Sequence, residues 1–240
     1  SVIHEGGHAI YELNTGDDLI GTTMAGGASM GIHESQSRFY ENIIGRSEAF
    51  ISLIFPKIKE LFPEQFENVT AHDFYLAVNK AEPSLIRTEA DELTYSMHIM
   101  VRYEIEKRLM DGSLSTKDLP NEWNRLYKEY LGIDVPCDSM GCLQDSHWSG
   151  GALGYFPSYS LGSAYGAQFL HKMKQDIDID KLVSENRIDE VTAWLTEKIH
   201  KYGMLLTPAQ LIENACGEEF NADYYIEYLT EKYNKIYDLK

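Results

Sequence analysis

Apolar residues recur at three- and four-residue intervals through most of this chain and nowhere alternate over the length of a strand, so the pattern predicts helices and no sheet. A short first helix ends at the turn Asn14-Thr15-Gly16-Asp17-Asp18, and Gly21 to Gly31 is a glycine-rich connection. From Ile32 to Phe62 the spacing is helical but interrupted by Gly45 and Pro56, which predicts one bent helix or two shorter ones ended by Pro63. Thr70 to Lys80 reads as a helix with Phe74, Leu76 and Val78 as core. Leu85 to Met110 reads as a long helix, with Thr88-x-x-Asp91 resembling a capping box and Leu93, Met97, Val101, Ile105 and Leu109 as its buried stripe. Asp111-Gly112 closes it. Residues 113–165, with Pro120, Pro136, Pro157 and several glycines, read as irregular backbone around a helix from Glu122 to Tyr130. Beyond them helices return. Ile188, Val191, Leu195 and Ile199 mark one that stops at Gly203; Thr207-Pro208-x-Gln210 starts another that ends near Gly217; Asn221 caps a last one bearing Ile226, Leu229, Tyr233 and Ile236. The tyrosine-rich Tyr224-Tyr225-x-x-Tyr228 in it reads as core or interface packing. The fold class expected is all-α.

With 240 residues, 43% of them hydrophobic and 25% charged, the chain is long enough for one large domain or two small ones. Its 21 basic and 38 acidic residues give a formal charge of −17, which argues against nucleic acid as a partner because phosphate binding needs a basic face. The acidic excess reads as a solubility feature. Cys137, Cys142 and Cys216 are too few and too oddly spaced for a disulfide framework or a zinc ribbon, and favour a reducing, cytoplasmic setting. No apolar run is long enough to span a membrane, so no membrane partner is expected.

Chemistry enters with His4-Glu5-Gly6-Gly7-His8. Histidines four apart share one helix face, so both imidazoles can be directed at a single metal ion, and Glu5 is placed to take a proton from a metal-bound water. Gly6 and Gly7 each cost the helix about 1 kcal/mol relative to alanine, which predicts a close approach of other backbone there. A ligand-bearing helix needs packed neighbours on all sides, so a motif beginning at residue 4 leads us to expect part of a longer protein.

A catalytic zinc site takes three protein ligands and keeps one position open. Metzincin spacing would put the third at Asn14, which cannot serve. Glu12 reads as a solvated helix-face residue. His33 and Glu34, in Ile32-His33-Glu34-Ser35-Gln36-Ser37-Arg38, can both coordinate, and the habit of pairing this motif with a glutamate from a second helix favours Glu34.

These residues together resemble the carboxypeptidase Taq family of thermostable metallocarboxypeptidases. His-Glu-Gly-Gly-His followed by His33-Glu34-Ser35-Gln36 is similar to its paired metal signatures. Ile86-Arg87-Thr88-Glu89-Ala90-Asp91-Glu92 is similar to its Ile-Arg-Thr-x-Ala-Asp-Glu segment, and Gly141-Cys142-Leu143-Gln144-Asp145-Ser146-His147-Trp148 to its Gly-x-x-Gln-Asp-x-His-Trp segment. The resemblance implies a helical fold with a deep cleft, a homodimer, and removal of C-terminal residues from peptides with broad specificity. It also implies a chain about twice as long, residues 1–240 being the C-terminal catalytic portion. Within it, 1–111 would carry the metal-site helices, 112–165 a loop-rich cleft segment, and 166–240 the C-terminal helices.

By resemblance and by chemistry, His4, His8 and Glu34 hold Zn2+, with Co2+ or Mn2+ as other fits, and Glu5 is the general base. Arg87 is the candidate for the substrate's free carboxylate because a guanidinium offers a planar two-pronged donor, with Arg38 second and Tyr155 as a further contact. His147 and Tyr159 are candidates for stabilising the oxyanion. Asp91 and Glu92 are candidate partners of the ligand imidazoles, and Gln144 and Asp145 of His147. His33 and His98 are expected to support the site or touch substrate, and His72, His171 and His200 to lie on the surface. The competing readings are a non-catalytic metal-binding or dimerising fragment and a thermolysin-like zinc endopeptidase.

Overall fold

The structure, a computed structural model, describes residues 1–239. Its α-helices are α1 (Val2–Leu13), α2 (Met30–Arg38), α3 (Glu48–Leu61), α4 (Ala71–Val78), α5 (Tyr95–Met110), α6 (Leu119–Leu131), α7 (Pro157–Asp176), α8 (Ile179–Ser184), α9 (Ile188–Lys198), α10 (Pro208–Cys216) and α11 (Asp223–Tyr237). A π-helical turn, Phe39–Ile44, continues α2. No strand occurs among the described residues, as the periodicity predicts. The chain divides into two compact units, one made of residues 1–79 and 161–240 and the other of residues 80–160. The boundary falls inside α7, so the stretch 112–165 read as one segment contributes to both units.

In the first unit α1 packs on α2, and α3 on α4 and α8. Tyr11, Ile32, Phe39, Phe169, Met173, Val191, Leu195, Ile199 and Leu211 are buried in one core drawn from seven segments of the chain. Local signals read from the sequence set several ends. Thr70 caps α4 and Thr207 caps α10, each as a reciprocal capping box, with Asp73 and with Gln210. The Asn221 side chain accepts from the Asp223 N–H at the start of α11. Of the residues expected in α4's core, Phe74, Leu76 and Val78 are only partly buried, and Tyr75 and Asn79 go inside instead. Pro56 does not break α3. Tyr225 is buried against Ala164 and Ala167, which is packing of the kind expected for the tyrosine-rich segment.

In the second unit α5 packs on α6, around Val101, Ile105, Trp123, Leu126 and Tyr127. The long helix expected from Leu85 begins only at Tyr95. Before it, Arg87–Glu89 form a single 3-10 turn, because tertiary and local partners claim the backbone. The Arg87 N–H donates to the Gln144 side chain at 2.8 Å. Asp91 accepts from the N–H and hydroxyl of Thr94 and from the Glu82 N–H, holding a turn where helix was expected. The apolar stripe is displaced as a result: Leu93 and Met97 are each 38% exposed, while His98 and Arg102 are fully buried. A helix face that buries charged residues carries little hydrophobic periodicity for the sequence to reveal.

Candidate metal centre

The two histidines of the motif and Glu34 meet where α1 crosses α2. Their potential donor atoms all lie within 4.8 Å of one another. His4 Nε2 is 3.7 Å from one Glu34 oxygen and His8 Nε2 3.9 Å from the other. Donors around a tetrahedral zinc at its usual bond lengths stand about 3.4 Å apart, so the set is within a few tenths of an ångström of closing on an ion. Glycine at position 7 permits the crossing. A Cβ there would lie 2.6 Å from the Ser37 Cα, so only a hydrogen lets the two backbones approach this closely.

Glu34 is 3% exposed and clamped from several sides. The Ser37 hydroxyl donates to its backbone oxygen at 3.1 Å and reaches its carboxylate at 3.3 Å. Across from it Gly162 of α7 comes so close that a Cβ would stand 2.4 Å from the Glu34 Cβ. Burial pushes the Glu34 carboxyl up, and Arg38, His4 and Ser37 only partly oppose this. A buried carboxylate with incomplete cationic compensation is what a cation-binding position requires. Arg38 Nε is 3.9 Å from Glu34 and its Nη1 4.0 Å from Glu41, so this guanidinium lies between the two acids.

Each ligand imidazole is held at its other nitrogen. His4 Nδ1 donates to Glu41 Oε2 at 3.0 Å; burial pushes the Glu41 carboxyl up, but the His4 hydrogen bond and the Arg38 charge outweigh it and bring the group down to about 2. His8 Nδ1 is 2.8 Å from His33 Nδ1, and His33 Nε2 is 2.6 Å from Glu12 Oε1. Burial, then His33 and His4, lower His8 to about 4, so its imidazole is neutral and able to coordinate at ordinary pH. The partners of the ligands are therefore Glu41 and the His33–Glu12 pair. Neither Asp91 nor Glu92 plays that part: both belong to the other unit, Asp91 holding the turn before α5 and Glu92 being buried. Glu12, read as a solvated residue, is engaged by both His33 and the Gly27 N–H. Glu41 was missed, although its signal was present, since residues seven apart on a helix return to the same face and Glu34 had been placed.

His200 corrects another expectation. It is fully buried, donating from Nε2 to Gln36 Oε1 at 2.8 Å, and Gln36 in turn donates to the Ser35 hydroxyl. It braces α2 from beneath; burial, with His33 nearby, pushes it down to about 3. His72 and His171 are exposed, and Glu5 is exposed on the outer side of α1 with no hydrogen-bond partner.

The second unit gathers the other residues singled out. Arg87 Nε and Nη2 donate to Asp145 and its Nη1 donates to the Tyr95 hydroxyl at 2.9 Å, so all three of its nitrogens are committed. Arg102 donates to the same Asp145 and to Gln144. Gln144 and Asp145 thus hold two arginines rather than His147, and burial's upward push on Asp145 is overcome by Arg87 and Arg102, which lower it. His147 Nε2 is 3.0 Å from the Tyr159 hydroxyl, its ring lies against Tyr155 and Phe156, and burial lowers its pKa. His98 is buried against Tyr127. The sequence gave no sign of Glu106, a buried carboxylate that accepts from Trp148 Nε1 and the Gly154 N–H.

Comparison with known proteins follows the same residues. The family described as carboxypeptidase Taq (M32) metallopeptidase matches over residues 1–233. The chain is 50% identical over 236 residues to carboxypeptidase 1 of Bacillus subtilis, covering 98% of this chain and 47% of that one. It is 45% identical to thermostable carboxypeptidase 1 of Pyrococcus furiosus, with 97% and 47% covered. Among solved structures, an M32 carboxypeptidase from Deinococcus radiodurans superposes with a TM-score of 0.96 at 39% identity, over 99% of this chain and 48% of that one. The chain spans about half the length of the relatives it matches.

Proposed function

The chain belongs to the carboxypeptidase Taq (M32) metallopeptidase family, and from that premise we propose that it carries the metal centre of a metal-dependent carboxypeptidase acting on peptides with broad specificity. The observation that carries this reading is the convergence of His4, His8 and Glu34, with the imidazoles' far nitrogens already engaged. Two neutral imidazoles and one carboxylate suit Zn2+ first, with Co2+ or Mn2+ able to take the same donors. When bound, the ion supplies Lewis-acid polarisation of the scissile carbonyl and makes water a better acid.

The chain's own groups do the rest. Glu5, one residue beyond His4 and free of hydrogen-bond partners, takes the proton of the attacking water and delivers it to the leaving amine. Glu41 and Arg38 balance charge around Glu34. For the oxyanion donor we keep His147, oriented by Tyr159. Arg87 is better read as a structural partner of Asp145 than as the carboxylate clamp, because its donors are already spent. Arg38, two long ion-pair distances from its acids, is the better candidate of the two. A cytoplasmic setting and a homodimer complete the reading; no helix among the described residues is long and apolar enough to cross a membrane.

The test uses the full-length protein. It should hold about one zinc per chain, and lose turnover on chelation and regain it with metal. Peptides with a free C-terminus should be cleaved one residue at a time, and C-amidated ones spared. Equal cleavage of both would make it an endopeptidase, and no bound metal would leave only a helical scaffold.

A further inference from the structure

We propose that Glu12 and His33 are positioning residues of the metal centre, a carboxylate–imidazole pair that fixes the tautomer of His8 and keeps its Nε2 lone pair free for the ion. This rests on the reading of His4, His8 and Glu34 as ligands. The argument starts from the outer end. A carboxylate can only accept, so the 2.6 Å contact between Glu12 Oε1 and His33 Nε2 places a proton on that nitrogen. Neutral His33 then has a bare Nδ1. The 2.8 Å contact from His33 Nδ1 to His8 Nδ1 joins two nitrogens of which only one can carry the shared proton, and it must be that of His8. His8 is left with a bare Nε2, which is the atom 3.9 Å from Glu34 Oε1. Each proton follows from the one before it, and the sequence terminates at the metal point.

Without Glu12 nothing prevents His33 from carrying its proton on Nδ1. His8 would then accept on its own Nδ1 and carry a proton on Nε2, where the ion has to bind. The surroundings hold the pair in place. The Gly27 N–H donates to the same Glu12 oxygen at 3.1 Å, and the Ala28 N–H to the Tyr11 hydroxyl at 3.0 Å, strapping residues 26–28 over the His33 ring. The fit is close, since a Cβ on Gly27 would stand 2.5 Å from His33 Cδ2 and 2.8 Å from the Tyr11 ring. His4 is supported differently, by direct donation to Glu41. One ligand thus leans on a carboxylate and the other on an imidazole that a carboxylate orients, so the two present different donor strengths to the ion.

Zinc dissociation constants, measured by chelator competition on the full-length protein, test this without recourse to activity. His33→Leu should weaken zinc binding about 10- to 100-fold, the usual effect of removing a ligand's hydrogen-bond partner. His33→Asn, whose amide oxygen can accept near the position of Nδ1, should recover most of that loss. Glu12→Ala should weaken binding in the same direction, and Glu12→Gln, which still accepts, should weaken it less. Melting of the metal-free protein serves as the fold control, because a merely structural pair would lower that temperature without changing the increment gained on adding zinc. Affinity of His33→Leu and Glu12→Ala within about threefold of the parent, against the expected loss, overturns the proposal. The ligand reading fails separately, if the parent holds no zinc or His8→Ala binds it equally well.

Discussion

Replacing Gly162 by alanine should damage the metal site far more than the fold. The added Cβ would stand 2.4 Å from the Glu34 Cβ, 2.8 Å from its carbonyl carbon and 3.0 Å from the Ser35 nitrogen. Carbon atoms pack at about 3.5–4.0 Å, so the surfaces must part by more than about 1 Å. None of these atoms is the tip of a flexible side chain; they belong to the α2 backbone and the base of the ligand itself. Alanine gains about 1 kcal/mol of helix propensity over glycine, against overpacking of about 1–3 kcal/mol, so the net loss of stability is on the order of 1 kcal/mol. The metal site is less forgiving. Its donors already stand 3.7 and 3.9 Å apart, and a site works only within about 0.5 Å of its required geometry. Zinc affinity should fall by at least about tenfold, read by chelator competition, while the metal-free melting temperature moves by a few degrees. Gly166, one turn along the same helix, is the control: a Cβ there meets only the Ser35 oxygen at 3.4 Å and Ile43 at 3.7 Å. Gly166→Ala should leave affinity unchanged. Equal affinities for the two variants would refute the steric argument.

Four other outcomes are expected. Glu5→Gln should abolish peptide hydrolysis with zinc content unchanged, by metal analysis beside a turnover assay; loss of the metal would contradict its role as base. Glu41→Ala should weaken zinc about tenfold, and Glu41→Gln, which keeps an acceptor for His4 Nδ1, by less; indistinguishable constants would remove Glu41 from the site. Asp145→Asn leaves Arg87 and the fully buried Arg102 without their shared counter-charge, so urea unfolding should show a loss of about 3–5 kcal/mol, and a change below about 1 kcal/mol would show the pair to be solvated. His200 takes up a proton near pH 6.5 when unfolded but only near 3 when folded, so the unfolded chain binds more protons in between. Stability is therefore complete above 6.5 and declines as pH falls towards 3, by up to about 1.4 kcal/mol per pH unit from this group. His200→Gln, which cannot charge, should flatten a urea-unfolding series over that window, and an unchanged slope would argue against the shift.

What the sequence revealed about the site depended on range. His4 and His8 are separated by one helical turn, and Glu34 lies in a second motif, so type and spacing were enough to single out three groups that the fold brings together. Glu41 and His33 support them through contacts 37 and 25 residues apart, and such pairings depend on how α1 crosses α2, which no local pattern encodes. His200 looked like a surface histidine because its partner, Gln36, is 164 residues away. The late start of α5 has the same origin: Gln144 captures the Arg87 N–H from 57 residues further on, overriding a stretch whose own preference is helical. Glycine was the most informative residue in the other direction. Two in the motif helix announced a close approach, and Gly7 makes it, whereas Gly162, in a stretch read as loop, lies in a helix and touches a ligand.

The turn Phe39–Ile44 has a bearing on length variation. Its hydrogen bonds reach back five residues, as from the Gly45 N–H to the Tyr40 oxygen, and such a turn is what results when one residue is inserted into an α-helix. Removing that residue would restore the ordinary winding and rotate everything beyond it by about 100°, carrying Glu41 away from His4. A single-codon deletion here is thus equivalent to losing a support of the metal, while one in the exposed stretch 62–68 would cost little. Among natural or engineered length variants, this segment should hold its number of residues even where its identities drift.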